Sequence, residues 1–510
     1  MYPIDFFFRA AQRFPNKVAL QGPNNMILRF GQLARQVKAL ACAMQHQDPS
    51  EQSRVAICGG NHAAHIVALL ATLAAGKVWV PLNARSTASE IERILQSVSP
   101  SIVIVDALGE PLTRAITSAQ RWHMSRSTES EQQTLLAIET LIEQFDGKQP
   151  APITTGRDGT QAIKFTGGTT GPPKGVMQPY RAWNAGIINQ IYGWQLTEDD
   201  SYVVCAPVTH GTSTYVLPVL AQGGRLVFPD ESNPSAIARA FSQHQGTISF
   251  MPPTLIYMLM SDTGVQTTDF ASLRHLIFGG APMPAEKVDA ALDFFGPRIG
   301  ATYGQTEAPQ IITMIRPDEI VDPANRGSGG RCTWLSDLAI MSPEGDLLPA
   351  GEKGEVVVRG DLVMTGYWQM PEKTAQTVVD GWLHTGDVGY LDERGYLFIK
   401  DRLRDVVITG GFNVYPVDVE NALCKHPDVY EASVFGLPHD KWGEAVHAAV
   451  QIRPSRVVAA HDLMQHVKNL LGSVHTPKSI HFFDQLPRSS VGKVLKKDIK
   501  DQLSAKADHS

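Results

Sequence analysis

Short runs of aliphatic and β-branched residues alternate with segments of helical periodicity between residues 55 and 278. The strand-like runs are 55–58, 78–80, 102–105, 202–204, 226–228, 248–250 and 276–278. Helix-period segments such as 62–75 and 236–244 lie between them. This alternation predicts parallel sheets covered by helices, that is, a doubly wound α/β fold.

The pattern changes at about Gly327, where hairpin-like runs replace the alternation. Residues 354–359 and 395–400 are strand-like and are bounded by glycines and acidic turns, which predicts a β-rich subdomain. The charge-dense segment KDRLRD, residues 400–405, lies between two apolar runs. It predicts a boundary between a large N-terminal domain, residues 1–402, and a small α+β C-terminal domain, residues 403–510.

Residues 165–176, FTGGTTGPPKGV, form a loop suited to anions. Its glycines let backbone N–H groups approach an anion closely, its threonines add hydroxyl donors, and Lys174 adds positive charge. A short strand at 162–165 precedes the loop, which therefore leaves a sheet edge where α/β proteins bind ligands. Lys174 stands between a proline and a glycine, so the loop is not a Walker A motif. We expect it to hold the phosphates of a nucleoside triphosphate.

The composition excludes several classes of protein. A formal net charge of −6 over 510 residues argues against a general nucleic-acid binder. The five cysteines form no Cys-x-x-Cys pair, so neither a disulfide framework nor a zinc site is predicted, and a reducing cytoplasm fits best. The longest apolar run, residues 66–75, is too short to span a membrane, so we expect no integral membrane segment.

Four further motifs carry groups suited to nucleotide chemistry. YGQTE at 303–307 ends in Glu307, and a carboxylate beside a triphosphate is expected to share Mg²⁺ with the phosphate oxygens. GWLHTGD at 381–387 ends in an acid suited to bind both ribose hydroxyls. GGFNVYP at 410–416 follows the predicted domain boundary, and LPRSSVGK at 486–493 ends in Lys493, held after a glycine.

These five motifs, in this order, resemble the acyl-adenylate-forming superfamily. The superfamily includes acyl-CoA synthetases, adenylation domains of nonribosomal peptide synthetases and firefly-type luciferases. The resemblance covers nearly the whole chain, from FPNKVA at 14–19 through VPLN at 80–83 to the terminal lysine loop. It implies an ATP- and Mg²⁺-dependent enzyme that converts a carboxylic acid into an acyl-AMP, and a mobile C-terminal domain that rotates between two half-reactions.

The resemblance also implies a set of nucleotide contacts and catalytic groups. Thr306 meets the α-phosphate, Glu307 binds Mg²⁺, and Tyr303 stacks on the adenine. The catalytic residues it implies are Lys493, Glu307, Thr306 and His210. The ATP- and AMP-binding residues it implies are Thr166, Gly168, Thr169, Thr170, Gly171, Lys174, Gly280, Ala281, Pro282, Tyr303, Gly304, Asp387 and Arg402, the last two for the ribose.

The acceptor of the activated acid is inferred from the C-terminal domain. KWGE at 441–444, after FGLP at 435–438, resembles acyl-CoA synthetases and favours coenzyme A. The hinge implied is Arg404, and the thiolation residues implied are Gly410, Gly411 and Trp442. A stand-alone enzyme that loads a carrier protein is the alternative, and a homodimer is left open. A non-catalytic nucleotide sensor is disfavoured because Lys174, Glu307, Asp387 and Lys493 are intact.

The acyl pocket is implied by PVTHGTS at 207–213, which resembles the loop that gates it, with His210 at the gate. Amino-acid-activating relatives carry an aspartate beside the gate, whereas this chain has Gly211, which argues against an α-amino acid. The pocket residues implied are His210, Gly211, Thr212, Met251 and Ala308. They suggest an apolar slot for an alkyl chain or an aromatic ring, so fatty and aromatic acids both stay open.

Overall fold

The structure is a computed structural model that describes residues 1–125, 135–166, 173–439, 441–488 and 494–507, the side chains of 504–507 excepted. Its helices are α1 (Pro3–Arg13), α2 (Phe30–Gln47), α3 (Ala63–Ala74), α4 (Ala88–Val98), α5 (Ile138–Gln144), α6 (Tyr180–Gly193), α7 (Ser213–Ala221), α8 (Pro234–His244), α9 (Pro253–Ser261), α10 (Ala285–Phe295), α11 (Pro317–Ile320), α12 (Pro371–Thr377), α13 (Pro416–Cys424), α14 (Ala460–Leu471) and α15 (Lys496–Ala507).

Its strands are β1 (Val18–Gly22), β2 (Met26–Arg29), β3 (Arg54–Cys58), β4 (Val78–Leu82), β5 (Ile102–Val105), β6 (Gln120–His123), β7 (Leu136–Ala137), β8 (Thr160–Thr166), β9 (Lys174–Pro179), β10 (Ser201–Val203), β11 (Arg225–Val227), β12 (Ile248–Met251), β13 (His275–Phe278), β14 (Ile299–Tyr303), β15 (Thr313–Ile315), β16 (Gly330–Cys332), β17 (Ser336–Met341), β18 (Gly354–Gly360), β19 (Gly366–Tyr367), β20 (Val378–Val379), β21 (Trp382–Leu391), β22 (Tyr396–Arg402), β23 (Val407–Thr409), β24 (Phe412–Val414), β25 (Val429–His439), β26 (Gly443–Ile452) and β27 (Ser479–Phe482).

An eight-stranded sheet is formed by described residues in the order β19-β9-β8-β4-β3-β5-β6-β7. From β8 to β7 the neighbouring strands are parallel, whereas β9 and β19 pair antiparallel. β4 and β5 are buried along their whole length, because helices cover both faces of the sheet. This part of the chain confirms the predicted doubly wound α/β fold.

A larger sheet of 14 strands, counted over the described residues, has the order β17-β18-β21-β22-β16-β15-β14-β13-β12-β10-β11-β1-β2, with β20 paired to β21. The block from β14 to β1 is parallel. The predicted β-rich region forms the antiparallel end of this sheet, because β22 pairs with β16. Strands β16, β17, β18, β20, β21 and β22 are therefore continuous with the parallel block.

Helix α3 shows how the sequence forms a helix between the two sheets. Its residues, AAHIVALLATLA, are mostly strong helix formers, and 10 of its 12 residues are buried. The helix ends before Gly76, whose φ of +68° is a left-handed conformation that glycine adopts without strain. The largest hydrophobic cluster joins α3 to Trp79 of the eight-stranded sheet and Phe250 of the 14-stranded sheet. The two sheets thus share one core.

The remaining described strands form a five-stranded sheet in the order β24-β23-β26-β25, with β27 paired to β26. The long hairpin of β25 and β26 is its centre, and α13 packs against β25 and α14 against β27. Its core is a separate hydrophobic cluster that includes Val434 and Ala448 from the hairpin and Leu463 from α14. Among the described helices, none is long and apolar enough to cross a membrane.

Candidate active site

A cavity of about 1400 Å³ lies where the two large sheets meet. Its lining residues follow the carboxyl ends of β4 and β8 in one sheet and of β10, β12, β13 and β14 in the other. This edge is where open parallel sheets bind ligands, because the loops and helix starts that follow the strands converge there. Arg402, Leu403, Arg404, Arg488 and Leu495 close the cavity from the C-terminal side.

The ends of the glycine- and threonine-rich loop are held by a strand pair. Thr166, at the end of β8, lies opposite Lys174, at the start of β9, and both line the cavity. The ammonium of Lys174 lies 5.4 Å from the centre of the Tyr367 ring. Four of the predicted phosphate contacts, Gly168, Thr169, Thr170 and Gly171, lie outside the described residues.

Glu307 lines the cavity together with this strand pair. The Tyr367 hydroxyl donates a 2.8 Å hydrogen bond to Glu307 Oε1. Burial and, second, the Glu307 carboxylate raise the pKa of Tyr367, so the hydroxyl stays a donor. A carboxylate offers about four acceptor positions, and one hydrogen bond leaves Glu307 able to bind a cation. Magnesium in nucleotide sites commonly takes one or two carboxylates plus phosphate oxygens, so this residue fits Mg²⁺.

Asp387 gathers three partners from distant parts of the chain. Its Oδ2 accepts hydrogen bonds from Tyr303 and from Gln305 Nε2, each at 2.6 Å. Its Oδ1 lies 2.7 Å from Arg402 Nε, and Asp387 and Arg402 are opposite each other on β21 and β22. Asp387 and Tyr303 do not themselves line the cavity, but Gly304, Gln305 and Arg402 do. The predicted ribose and adenine groups are therefore one hydrogen-bonded cluster.

Two glycine-containing turns form another wall. Gly280 and Ala281, predicted to lie against adenine, line the cavity, and Pro282 does not. Gly280 has a φ of +79°, a conformation that other residues rarely adopt. A Cβ on Gly304 would overlap the backbone of Gln310, so this position accepts only glycine without a shift of the chain.

The predicted acyl gate also lines the cavity through His210, Gly211 and Thr212. Thr209 Oγ1 lies 2.9 Å from His210 Nδ1. Desolvation and, second, the nearby Lys164 ammonium lower the pKa of His210 to about 4, so the imidazole is neutral at neutral pH. A Cβ on Gly211 would come within 2.9 Å of the Phe250 ring, so its absence keeps this part of the cavity open.

Met251 and Ala308 do not line this cavity, although the resemblance implied that they do. Successive residues of a strand point to opposite faces, and Phe250 takes the cavity side of β12. Met251 therefore packs into the hydrophobic cluster on the other face of the sheet. Ala308 is fully buried in a cluster that includes Ile312.

The C-terminal residues divide into two groups. Arg404, the predicted hinge, lines the cavity and lies in a short 3-10 helix, Leu403–Asp405. Lys493 lies outside the described residues. Gly410, Gly411 and Trp442 do not line the cavity but lie together, since the Gly410 N–H donates to the Trp442 carbonyl at 2.8 Å.

The relationship to known proteins follows from comparison of the whole chain. Residues 7–368 match the family described as AMP-binding enzyme, and residues 418–493 match the AMP-binding enzyme C-terminal domain. This chain belongs to the AMP-binding enzyme family. It is 31% identical to a feruloyl-CoA synthase from Amycolatopsis sp, with 96% of this chain and 97% of the relative covered.

Two further comparisons extend the relationship. An indoleacetate–CoA ligase from Aromatoleum aromaticum is 31% identical, with 96% of each chain covered. The crystal structure of ATP-bound MatB from Rhodopseudomonas palustris superposes with a TM-score of 0.89 at 28% identity, covering 98% of this chain and 99% of that one. The predicted superfamily is confirmed, and this AMP-binding enzyme is an adenylate-forming ligase.

Three residues of this AMP-binding enzyme that contact the site were not predicted from its sequence. Tyr367, the partner of Glu307, carries no signal in the linear sequence because 60 positions separate the two. Gln178 Nε2 donates a 2.9 Å hydrogen bond to the Thr306 carbonyl. Lys164 gave a usable signal, because a lysine between Ile163 and Phe165 in strand β8 is a charge that burial must accommodate.

Proposed function

We propose that this chain is an ATP-dependent carboxylate–CoA ligase that works through an acyl-AMP. The observation that carries the proposal is the convergence of Thr166, Lys174, Glu307 and Arg402 on one cavity, with Asp387 held behind Arg402. ATP and Mg²⁺ together require positive charge and hydroxyl donors for the phosphates, a carboxylate for the metal, and an acceptor for the ribose hydroxyls. Family membership and the relatives named as CoA ligases support the same conclusion.

In the first half-reaction, a carboxylate oxygen of the substrate attacks the α-phosphorus of ATP. An oxygen–phosphorus bond forms, the bond from the α-phosphorus to the bridging oxygen breaks, and pyrophosphate leaves. The reaction needs positive charge more than a proton shuttle, because negative charge develops on the phosphate oxygens. We assign this charge to Lys493, with Thr306 at the α-phosphate. Glu307 would hold Mg²⁺, which would supply further positive charge there.

The nucleoside is held by the Asp387 cluster in this proposal. Asp387 accepts from the ribose hydroxyls, and Arg402 fixes its carboxylate through their 2.7 Å contact. Tyr303 stacks on the adenine and, through its hydroxyl, keeps Asp387 oriented. Gly280 and Ala281 leave room for the base because neither has a large side chain.

In the second half-reaction, the thiol of coenzyme A attacks the acyl carbonyl and AMP leaves. We propose that residues from 403 onward then rotate about Arg404 and bring Gly410, Gly411 and Trp442 to the cavity. The described arrangement suits the first half-reaction, because Arg488 and Leu495, on either side of the lysine loop, line the cavity.

The proposed substrate is an aromatic or fatty acid. The relatives named for feruloyl-CoA and indoleacetate favour an aromatic acid. Phe250 lines the cavity and stacks on the buried Tyr215 at a ring-centre distance of 5.4 Å, so an aromatic ring is held in the cavity wall. We also propose a cytoplasmic location, because the five free cysteines suit a reducing compartment.

The proposal is tested by pyrophosphate release with ATP and Mg²⁺ over a panel of short, long, aromatic and amino acids, each with and without CoA. Turnover that requires CoA, with the acyl-CoA identified by mass, is the expected result. If CoA does not stimulate pyrophosphate release and the acyl group is transferred to carrier-protein phosphopantetheine, the acyl acceptor is a carrier protein and not CoA. No release with any acid would overturn the ligase assignment.

The role of Lys493 is tested by separating the half-reactions. Lys493→Ala should abolish acyl-AMP formation and largely spare thioester formation from supplied acyl-AMP, because only the first step needs the ammonium on the phosphates. Lys468→Met, on the exposed face of α14, is the control and should leave both steps unchanged. Equal loss of both steps would contradict the division of roles.

A further inference from the structure

Lys164 is a buried cation on the wall of the cavity. Its neighbours Ile163 and Phe165 point to the opposite face of β8, into the cluster with Val80 and Leu82. Lys164 points instead toward α6 and α7, the side where Trp183 and Ser213 lie. It lines the cavity, yet only 8% of its surface is exposed.

The ammonium of Lys164 has neutral partners. Nζ donates to Ser213 Oγ at 2.8 Å and to the His210 carbonyl at 3.4 Å. Trp79 and Trp183 flank it, with ring centres 5.0 and 5.7 Å from Nζ. An ammonium has three N–H donors, so these two acceptors leave one donor for the cavity.

No carboxylate of residues 1–125, 135–166, 173–439, 441–488 or 494–507 forms an ion pair with Lys164 within 4.0 Å. Burial alone lowers its pKa to about 7. A buried charge without a counter-charge destabilises the folded state, and a methionine of similar length would fill the same space without that cost. The lysine is therefore difficult to explain by packing.

Lys164 contacts the carbonyl of His210 at the acyl gate and makes no hydrogen bond to Thr306, the group proposed to act at the α-phosphate. Gln178 donates to the Thr306 carbonyl at 2.9 Å, and Trp183 Nε1 donates to Gln178 Oε1 at 3.1 Å. Lys164 contacts the ring of Trp183, so Trp183 and Gln178 connect it to Thr306 in series. Lys164 therefore lies on the acyl-gate side of the cavity, with Trp183 and Gln178 between it and Thr306.

We infer that Lys164 determines substrate specificity by donating a hydrogen bond to an oxygen at the distal end of the acid. This inference rests on the proposed function and narrows its substrate to acids with a distal hydroxyl, phenolate, carbonyl or second carboxylate. The ligand oxygen takes the third N–H donor of Lys164, while Phe250 on the cavity wall contacts the adjoining apolar part of the acyl group. A purely hydrocarbon acid would leave that donor unpaired.

The inference is tested with pairs of acids that differ by one distal oxygen-bearing group: cinnamate against 4-hydroxycinnamate, and a monocarboxylate against a dicarboxylate of equal length. We expect the wild-type chain to favour the oxygen-bearing member by about ten- to a hundredfold in kcat/KM. Lys164→Met should remove this preference and retain activity on the plain acid. Lys468→Met should retain the wild-type preference.

The two pairs of acids show whether Lys164 binds a neutral or an anionic oxygen, according to which pair gives the larger preference. Preference for the anionic member should decline as the pH rises above about 7, because Lys164 then loses its proton. Among the described groups, His210 is coupled to Lys164, and its pKa of about 4 keeps it neutral across this range. Both members of a pair share the pH dependence of the phosphate chemistry, so this dependence cancels in the ratio of their kcat/KM values.

Direct binding measurements test the inference even if the enzyme turns over none of these acids. Titration of each acid, followed by the fluorescence of the tryptophans beside Lys164, should show the same preference and its loss in Lys164→Met. Equal loss of kcat/KM for both members of a pair in Lys164→Met would instead assign Lys164 to the reacting carboxylate and overturn the inference. Equal binding of both members by the wild-type chain would also overturn it.

Discussion

The buried carboxylate of Asp387 contacts three donor groups. Asp387→Asn replaces an acceptor oxygen with an amide donor that faces Tyr303, Gln305 or Arg402, so one of those groups loses its partner. Hydrogen bonds to charged groups contribute about 1.5–3 kcal/mol, so we expect the KM for ATP to rise by about ten- to a hundredfold. Steady-state kinetics with varied ATP measures this.

The matched control is Asp337→Asn. Asp337 pairs with Arg359 on the exposed surface, where an ion pair contributes little. Its KM for ATP should equal that of the wild-type chain. An unchanged KM for ATP in Asp387→Asn would contradict the proposed ribose contact.

Lys164 makes the stability of the chain depend on pH. Its folded-state pKa of about 7 lies below the value of about 10.4 expected in the unfolded chain. Between these two values the unfolded state binds more protons, so the free energy of unfolding rises with pH. Lys164→Met should be more stable than the wild type below about pH 7, and the difference should shrink toward about pH 10. Thermal unfolding of both chains across this pH range measures this, and parallel curves would contradict it.

These residues also show what a linear sequence can reveal. Asp387 and Arg402 belong to different sequence segments, and only the pairing of β21 with β22 sets them opposite each other. Glu307 was predicted from its motif, whereas Tyr367 was not, because a lone tyrosine carries no signal of its partner. Motif residues are therefore predictable one at a time, and their hydrogen-bond partners are not.

At the scale of elements, the 3-10 helix Leu403–Asp405 joins the large sheet to the five-stranded sheet. Arg404→Pro fixes φ near −65° and removes a backbone donor, which restricts any rotation at this position. We expect thioester formation from supplied acyl-AMP to fall about tenfold or more, an added barrier above about 1.4 kcal/mol. Acyl-AMP formation should change less. Rapid-quench assays of each half-reaction measure the two rates.

Arg404→Ala is the control, because it removes the guanidinium and leaves the backbone free. It should retain both half-reactions if the position acts as a hinge. A similar loss of thioester formation in both variants would assign the effect to the side chain.

Strand periodicity explains why elements were easier to predict than the side chains facing the cavity. The run at 248–250 predicted β12, but which of Phe250 and Met251 faces the cavity depends on register within the sheet. The predicted hairpins after residue 327 exist, and their attachment to the 14-stranded sheet depends on the β16–β22 pairing, between segments far apart in sequence.

At the scale of the whole molecule, Lys287 of α10 connects the two parts of the chain. Its ammonium lies 5.2 Å from the ring centre of Tyr257 and 4.8 Å from that of Tyr430, the latter on the five-stranded sheet. Tyr430→Ala removes the second contact, and cation–π interactions contribute about 0.5–1 kcal/mol at exposed sites. We expect acyl-AMP formation to slow by about two- to fivefold, with thioester formation from supplied acyl-AMP unchanged.

Tyr430→Phe keeps the ring and is the matched control for this contact. It should behave as the wild type in both half-reactions, measured by pyrophosphate release and by thioester formation. A slower thioester step in Tyr430→Ala would show that the contact also serves the second arrangement of the domains.

The sequence by itself determined the fold class and the superfamily, and its motifs marked residues such as Glu307 that line the cavity. Local periodicity sets strands and helices, and glycine-rich loops carry their own conformational requirements, so both are visible in a short segment. Only the tertiary structure decided that Lys164 lies buried on the cavity wall without a carboxylate among its described partners, and that Asp387 collects three donors. Burial and charge pairing depend on segments distant in sequence, and that physical fact limits what the sequence alone determines.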